Sequence, residues 1–310
     1  MDRRRTDEFQ RWLLGATVVA AGAELLILRV FTRTAIHIPG FADLRTIYVP
    51  ISEAGRSAYY VAVVLLTVTL VLMIEDLHRG RAIAARAGAA GIALFLFVAV
   101  IARLGAVDAL ALDGATLAAV LLLAPWALGG FHGRSRVPAV LLVAAFVLAG
   151  IGASEQALAG SGWTLGHDTW VALGGEVLAL GAAVAAPLLV GPIRNRSALA
   201  WGVVVGATTY AGLLANASTV KILMLWNFGL AGYLPSVLYG LAAGAATYTI
   251  VALRAAGQRT LALGMALVFI GGIGLHSTYQ TGLVLAGFAV LGAAEGSDRA
   301  GSQPAVIGGA

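Results

Sequence analysis

The sequence predicts an all-α fold: a polytopic integral membrane bundle of about nine transmembrane helices. Three observations predict it. Of 310 residues, 60% are hydrophobic and only 11% are charged, whereas soluble domains carry roughly a quarter charged residues. The mean hydropathy is +0.90, too apolar for a chain of this length to cover a water-exposed surface with polar groups. Apolar runs of about 18 residues or more recur along most of the chain, which is the length needed to cross the hydrocarbon core as a helix.

The first apolar run, at about 12–31, follows the basic start MDRRRTDEFQR. No small-residue cleavage site precedes Glu24 and Arg29, so the run reads as a retained first span and not as a removed leader. Further spans are expected at about 58–77, 88–105, 114–131, 137–155, 169–191, 198–216, 233–253 and 261–281. Alternate gaps hold Arg79, Arg81 and Arg86, then Arg134 and Arg136, Arg194 and Arg196, and Arg254 and Arg259. With Arg3, Arg4, Arg5 and Arg11 these make thirteen of the twenty basic residues. The opposite gaps hold acids, among them Asp43, Glu53, Asp108, Asp113, Glu155, Asp168, Glu295 and Asp298. The positive-inside rule then puts the N-terminus in the cytoplasm and the C-terminus outside, in a multi-pass protein of the cell membrane.

Connections such as HGRSRVP and GPIRNRS are short, so consecutive helices are expected to pack as antiparallel neighbours. Forty glycines, densest in GGEVLALGAAVAAP and GLAAGAATYT, fit close helix approach, because small residues let backbones meet inside a membrane. Residues 1–294 read as one transmembrane domain and 295–310 as a flexible polar tail. Pro235, Asn216, Asn227 and the glycines between them interrupt the apolar run after 216. A re-entrant or interfacial helix near 217–232 is expected there.

The absence of cysteine excludes disulfides, thiolate metal sites and cysteine nucleophiles. The net charge of +5 is dispersed in short clusters beside apolar runs, so it reads as membrane orientation, with no nucleic-acid partner. The chain has no P-loop, no HExxH, no DDxxD and no strand-borne GxGxxG.

Ionisable groups inside a span are costly and turn towards protein or water. Glu24, Glu176, Lys221 and His276 are the candidates for chemistry, and their positions along the spans put all four in the outer half of the bilayer. Lys221 is the single lysine beside nineteen arginines, and lysine, unlike arginine, loses its proton readily when desolvated. His276 sits in GGIGLHSTYQTG with Tyr279 three residues on, and His37 and His167 fall on the same side. These three histidines, with Trp226 and Tyr279, are the candidate binding residues for a haem b or a quinone. No spacing places two imidazoles on one helix face, so no metal site is assigned. The bland readings are snorkelling at Arg29 and Arg103, buried hydrogen-bonded acids at Glu24 and Glu176, a satisfied helix histidine at His276, and Trp226 in the headgroup belt.

STVKILMLW (218–226) is similar to the threonine–lysine helix of haem-copper oxidase catalytic subunits, and LGMALVFIGGIGLHSTY (263–279) to their later helices. The family's haem and copper histidines and its His-Pro-Glu-Val-Tyr motif have no counterpart here, so the resemblance implies no oxidase activity. The favoured reading is a membrane subunit of a respiratory or other electron-transfer complex, working with other membrane or extracytoplasmic subunits. The alternative is a proton-coupled secondary transporter or channel for a small solute, and a further one is an assembly or scaffold subunit without chemistry.

Overall fold

A computed structural model describes residues 3–25, 27, 45–73, 127, 135–158, 167–190, 195–215, 233–272 and 282–292. Within them the protein is all-α, with no strand. The helices are α1 (Arg3–Glu24), α2 (Arg45–Met73), α3 (Val137–Leu158), α4 (His167–Ala185), α5 (Arg196–Ala215), α6 (Tyr233–Ala255) and α7 (Arg259–Gly272), then α8 (Gly282–Gly292). The expected spans 88–105 and 114–131, the segment 217–232 and the tail 295–310 lie outside the described residues.

Four of the expected spans coincide with α3, α4, α5 and α6 to within a few residues. Local chemistry explains their ends. Asn195 caps α5, its side-chain oxygen accepting the Ala198 N–H at 3.0 Å. Pro187 converts the end of α4 into a tighter 3₁₀ turn, Ala186–Leu189. Gly257, at φ +80, closes α6. Its N–H bonds the Arg254 carbonyl at 3.1 Å, and the Gln258 N–H bonds that of Leu253 at 3.0 Å. That pair of bonds is a Schellman cap, which needs the left-handed conformation glycine adopts without strain.

Three elements differ from the sequence reading. α1 starts at Arg3, nine residues before the expected span, because its first turns are polar but helix-forming. α2 starts at Arg45 in what reads as an outer loop, with Pro50 inside it. Val49, Pro50, Glu53, Ala54, Arg56 and Ser57 are exposed there, and from Val49 to Val61 only Gly55 is buried. Hydropathy registers the apolar part of α2 alone, while the helix runs on past it. The third difference is α8, a separate helix with no counterpart among the expected spans.

α1 packs on α2, α3 on α4, α5 on α6, and α6 also on α4 and α7, while α1 borders α7. The α5/α6 pair is antiparallel and almost without side chains at its seam. A Cβ on Gly202 or Gly244 would stand 2.8 Å from the other's carbonyl oxygen, and one on Gly206 or Gly240 would stand 2.9 Å from its counterpart's. Two G-x-x-x-G stripes therefore meet backbone to backbone. In α3/α4, Leu148 and Leu141 fill the spaces over Gly174 and Gly181.

Bulky apolar side chains lie outside as well as inside. The interior combines many alanines with large groups such as Leu66, Leu253, Leu267 and Phe288, and it holds the hydroxyls of Thr17, Thr69, Ser236 and Thr249. The outside of α1 to α6 carries bulky apolar groups: Trp12 (68% exposed) and Val19 (71%), Val64 and Val68, Val140, Val177 and Val184, Trp201 and Val203, and Leu241. Only α7 and α8 carry no exposed large apolar side chain, and every residue of α8 is buried. By length and composition one described helix, Ser236–Ala255, is long and apolar enough to cross a membrane, and Val177–Leu189, α7 and α8 are shorter apolar helices.

Candidate functional site

The described polar site lies along the inner stripe of α1. Leu14, Thr17, Ala21 and Glu24 follow the spacing of three and four that keeps side chains on one helix face. All four are buried, Glu24 at 3% exposure. The Thr17 hydroxyl donates to the Leu13 carbonyl at 2.8 Å and lies 3.2 Å from the Thr69 hydroxyl of α2. With its single proton committed to Leu13, Thr17 acts as acceptor across the seam and Thr69 as donor. Glu24 stands two turns, roughly 10 Å, beyond Thr17 on the same stripe. There Leu25 and Ile27 have π winding, a distortion frequent at functional sites.

This is a carboxyl group held in an apolar bundle on a threonine-lined seam. At 3% exposure it has little access to bulk water. The seam itself should contribute modestly. Thr17→Val or Thr69→Val is expected to cost about 0.5–1 kcal/mol, the scale of interhelical hydrogen bonds in membrane proteins. The double variant should cost no more than the dearer single one. A thermal-unfolding double-mutant cycle checks this, and full additivity would mean the two hydroxyls are not coupled.

Of the other candidates from the sequence, Glu176 and His167 lie on α4. His167 is its first residue, and Glu176 falls one heptad before the buried Ala183. α4 packs on α3 and α6, whereas Glu24's helix packs on α2 and α7. The two acids therefore belong to helices in separate helix pairs. Lys221, His276, His37, Trp226 and Tyr279 lie outside the described residues. Thr17 and Thr69 are the site residues that sequence reasoning missed. The available signal was Thr17 seven residues before Glu24, at the heptad spacing that shares a face.

No group of three or more metal-ligating side chains occurs among the described residues. One apolar crevice lies between the start of α3, the end of α4, α7 and α8, bounded by Pro138, Leu142, Leu189, Met265, Phe269 and Phe288. Its free volume of about 10 Å³ is room for about one water, far less than a quinone ring or a haem needs. Compared with protein-family models, curated proteins and solved structures, the chain matches none.

Proposed function

We propose that the chain is a polytopic protein of the cell membrane, with a cytoplasmic N-terminus, that moves a small solute coupled to a proton. The observation that carries the membrane part is the apolar outside: bulky apolar side chains cover the outer faces of six helices. Water would penalise so large an apolar surface, and monomeric soluble proteins rarely expose contiguous patches of more than a few hundred Å². Lipid does not penalise it, and small residues are what membrane helices use to pack. Thr208 fits the same solvent. It is on the exposed side of α5, yet its hydroxyl is turned back onto the Val204 and Val205 carbonyls at 2.8 and 3.0 Å, satisfied without water.

Within that class, transport is favoured by the pair α7 and α8. Both are apolar and buried over their described lengths, and helices enclosed in a bundle are the elements around which many secondary transporters form their solute sites. Glu24 supplies the proton-carrying group in this reading. The test uses the purified protein in liposomes loaded with a pH-sensitive dye and challenged with sugars, amino acids, organic acids and monovalent cations. At least one solute should drive proton movement, and Glu24→Gln, close to isosteric, should abolish the coupling while the protein keeps its thermal midpoint.

A second reading, a membrane subunit of an electron-transfer complex with haem b or quinone in the outer half of the bilayer, is favoured by one pattern. Glu24, Glu176, Lys221 and His276 cluster in depth along the sequence, and a carboxylate beside a histidine could take protons from a quinol. A Soret band or a co-extracted quinone, together with no solute-driven proton movement in the liposomes, would replace the first reading by this one.

A further inference from the structure

We infer that α7 and α8 form a hairpin that enters the bundle and returns, so that the chain after Gly292 lies on the cytoplasmic face with Arg254 and Arg259. The inference rests on the membrane reading above and changes its topology: the chain turns back after α7, and the C-terminal segment moves from outside to inside.

The argument begins at the end of α6. That helix has 23 residues, roughly 34 Å at 1.5 Å per residue, enough to cross. Its last turn carries Arg254, and the Schellman cap at Gly257 reverses the chain within three residues, so that α7 starts at Arg259 on the same face. α7 is described from Arg259 to Gly272 and α8 from Gly282 to Gly292.

Their register fixes the direction of α8. A Cβ on Gly264 would lie 2.9 Å from Leu291 Cδ2, and one on Gly287 would lie 2.5 Å from Val268 Cγ2 and 2.9 Å from the Gly264 carbonyl oxygen. Gly264 is thus level with Leu291, and Val268 with Gly287. Each step forward along α7 is matched by a step back along α8, and the pair is antiparallel. Gly264 stands only five residues, roughly 7–8 Å, from the start of α7. The end of α8 therefore arrives within about a turn and a half of the level of Arg259, heading back towards that face.

The charge pattern gives no reason to place the segment elsewhere. Beyond Gly292 it holds Glu295, Asp298 and Arg299, and acids contribute little to orientation. Full burial of α8, with Leu283, Val284, Leu285, Ala286, Ala289 and Val290 at 0% exposure, agrees with an enclosed hairpin arm and not with an outer helix facing lipid.

The chain's lack of cysteine permits a direct test. Single variants Ser302→Cys, Ser197→Cys and Ser161→Cys are labelled with a membrane-impermeant maleimide in intact and in permeabilised cells. Ser197, beside Arg194 and Arg196, is the cytoplasmic reference, and Ser161, between α3 and α4 in sequence, is the outer one. Ser302→Cys should label only after permeabilisation, as Ser197→Cys does. Labelling of Ser302→Cys in intact cells alongside Ser161→Cys would overturn the hairpin and leave the membrane reading standing. Equal labelling of Ser161→Cys and Ser197→Cys in intact cells would overturn the membrane topology itself, and this inference with it. Alkaline phosphatase fused after Ala310 gives a second readout without any substitution. It should be inactive, and an active fusion overturns the inference.

Discussion

Gly206→Leu and Gly244→Leu are each expected to part α5 from α6 and to lower the thermal midpoint more than any substitution on the outer faces of these helices. At this seam the obstacle to a side chain is backbone. The first carbon of a residue at 244 would meet the Gly202 carbonyl oxygen at 2.8 Å, and one at 206 would meet that of Gly240 at 2.9 Å. No rotamer change relieves a contact with a carbonyl, so the helices must move apart, and that removes the close approach along the whole pair. Overpacking of this kind costs about 1–3 kcal/mol where neighbours can yield, and more is expected where they are backbone. At about 2–4 °C per kcal/mol for sizeable domains, the shift should be roughly 5 °C or larger. Gly15→Ala and Gly22→Ala in α1 are the controls. A Cβ at either meets nothing within 4 Å, and alanine favours a helix interior by about 0.5–1 kcal/mol over glycine. These two should be neutral or stabilising. If Gly244→Leu melts with the wild type, the seam is not where α5 is held.

How much of this was legible in the sequence depends on what each feature needs. Helix positions for α3 to α6 could be read because apolar length alone determines them, and Asn195 and Gly257 mark ends by local chemistry. The extent of α2 could not, because Pro50, Glu53 and Arg56 look like loop to any hydropathy window, and helix propensity outside the apolar stretch leaves no such mark. α8 was hidden for a different reason. Its apolar stretch follows directly on the expected span at 261–281 and reads as that span's trailing edge. Whether α8 continues outward or turns back is decided by which glycine faces which side chain, and that is a tertiary fact. At the candidate site, Glu24 could be read because a carboxylate within an apolar run is conspicuous. Thr69 could not, since its pairing with Thr17 depends on the register between helices joined by a long connection. The GLAAGAATYT motif was legible as a packing stripe, but its partner, Gly202 and Gly206 in WGVVVGATTY, needed the structure to name it.

The inner hairpin should be still less tolerant, and its two crossing glycines should respond differently to rescue. Gly287→Ala places a methyl carbon 2.5 Å from Val268 Cγ2, 2.9 Å from the Gly264 carbonyl oxygen and 3.0 Å from the Val268 nitrogen. The first of these contacts involves a side chain and the other two do not. Val268→Ala removes the Cγ2 atom but leaves the backbone in place, so Gly287→Ala/Val268→Ala should remain destabilised. Gly264→Ala meets only side chains: Leu291 Cδ2 at 2.9 Å and Cγ at 3.0 Å, and Val290 Cγ1 at 3.2 Å. Leu291→Ala alone, at a residue 1% exposed, should cost about 2–5 kcal/mol through the cavity it leaves. In the double variant Gly264→Ala/Leu291→Ala the new methyl occupies part of that cavity and its own clash is gone. The pair should therefore be less destabilised than the two costs taken together, with a coupling of about 0.5–3 kcal/mol. Thermal unfolding of the four single variants and the two doubles in detergent measures all of this. Coupling at 264 and 291 without rescue at 287 and 268 is the signature of α7 and α8 crossing where Gly287 meets the α7 backbone. Additive behaviour at 264 and 291 would place Leu291 away from Gly264, and the antiparallel register would go with it.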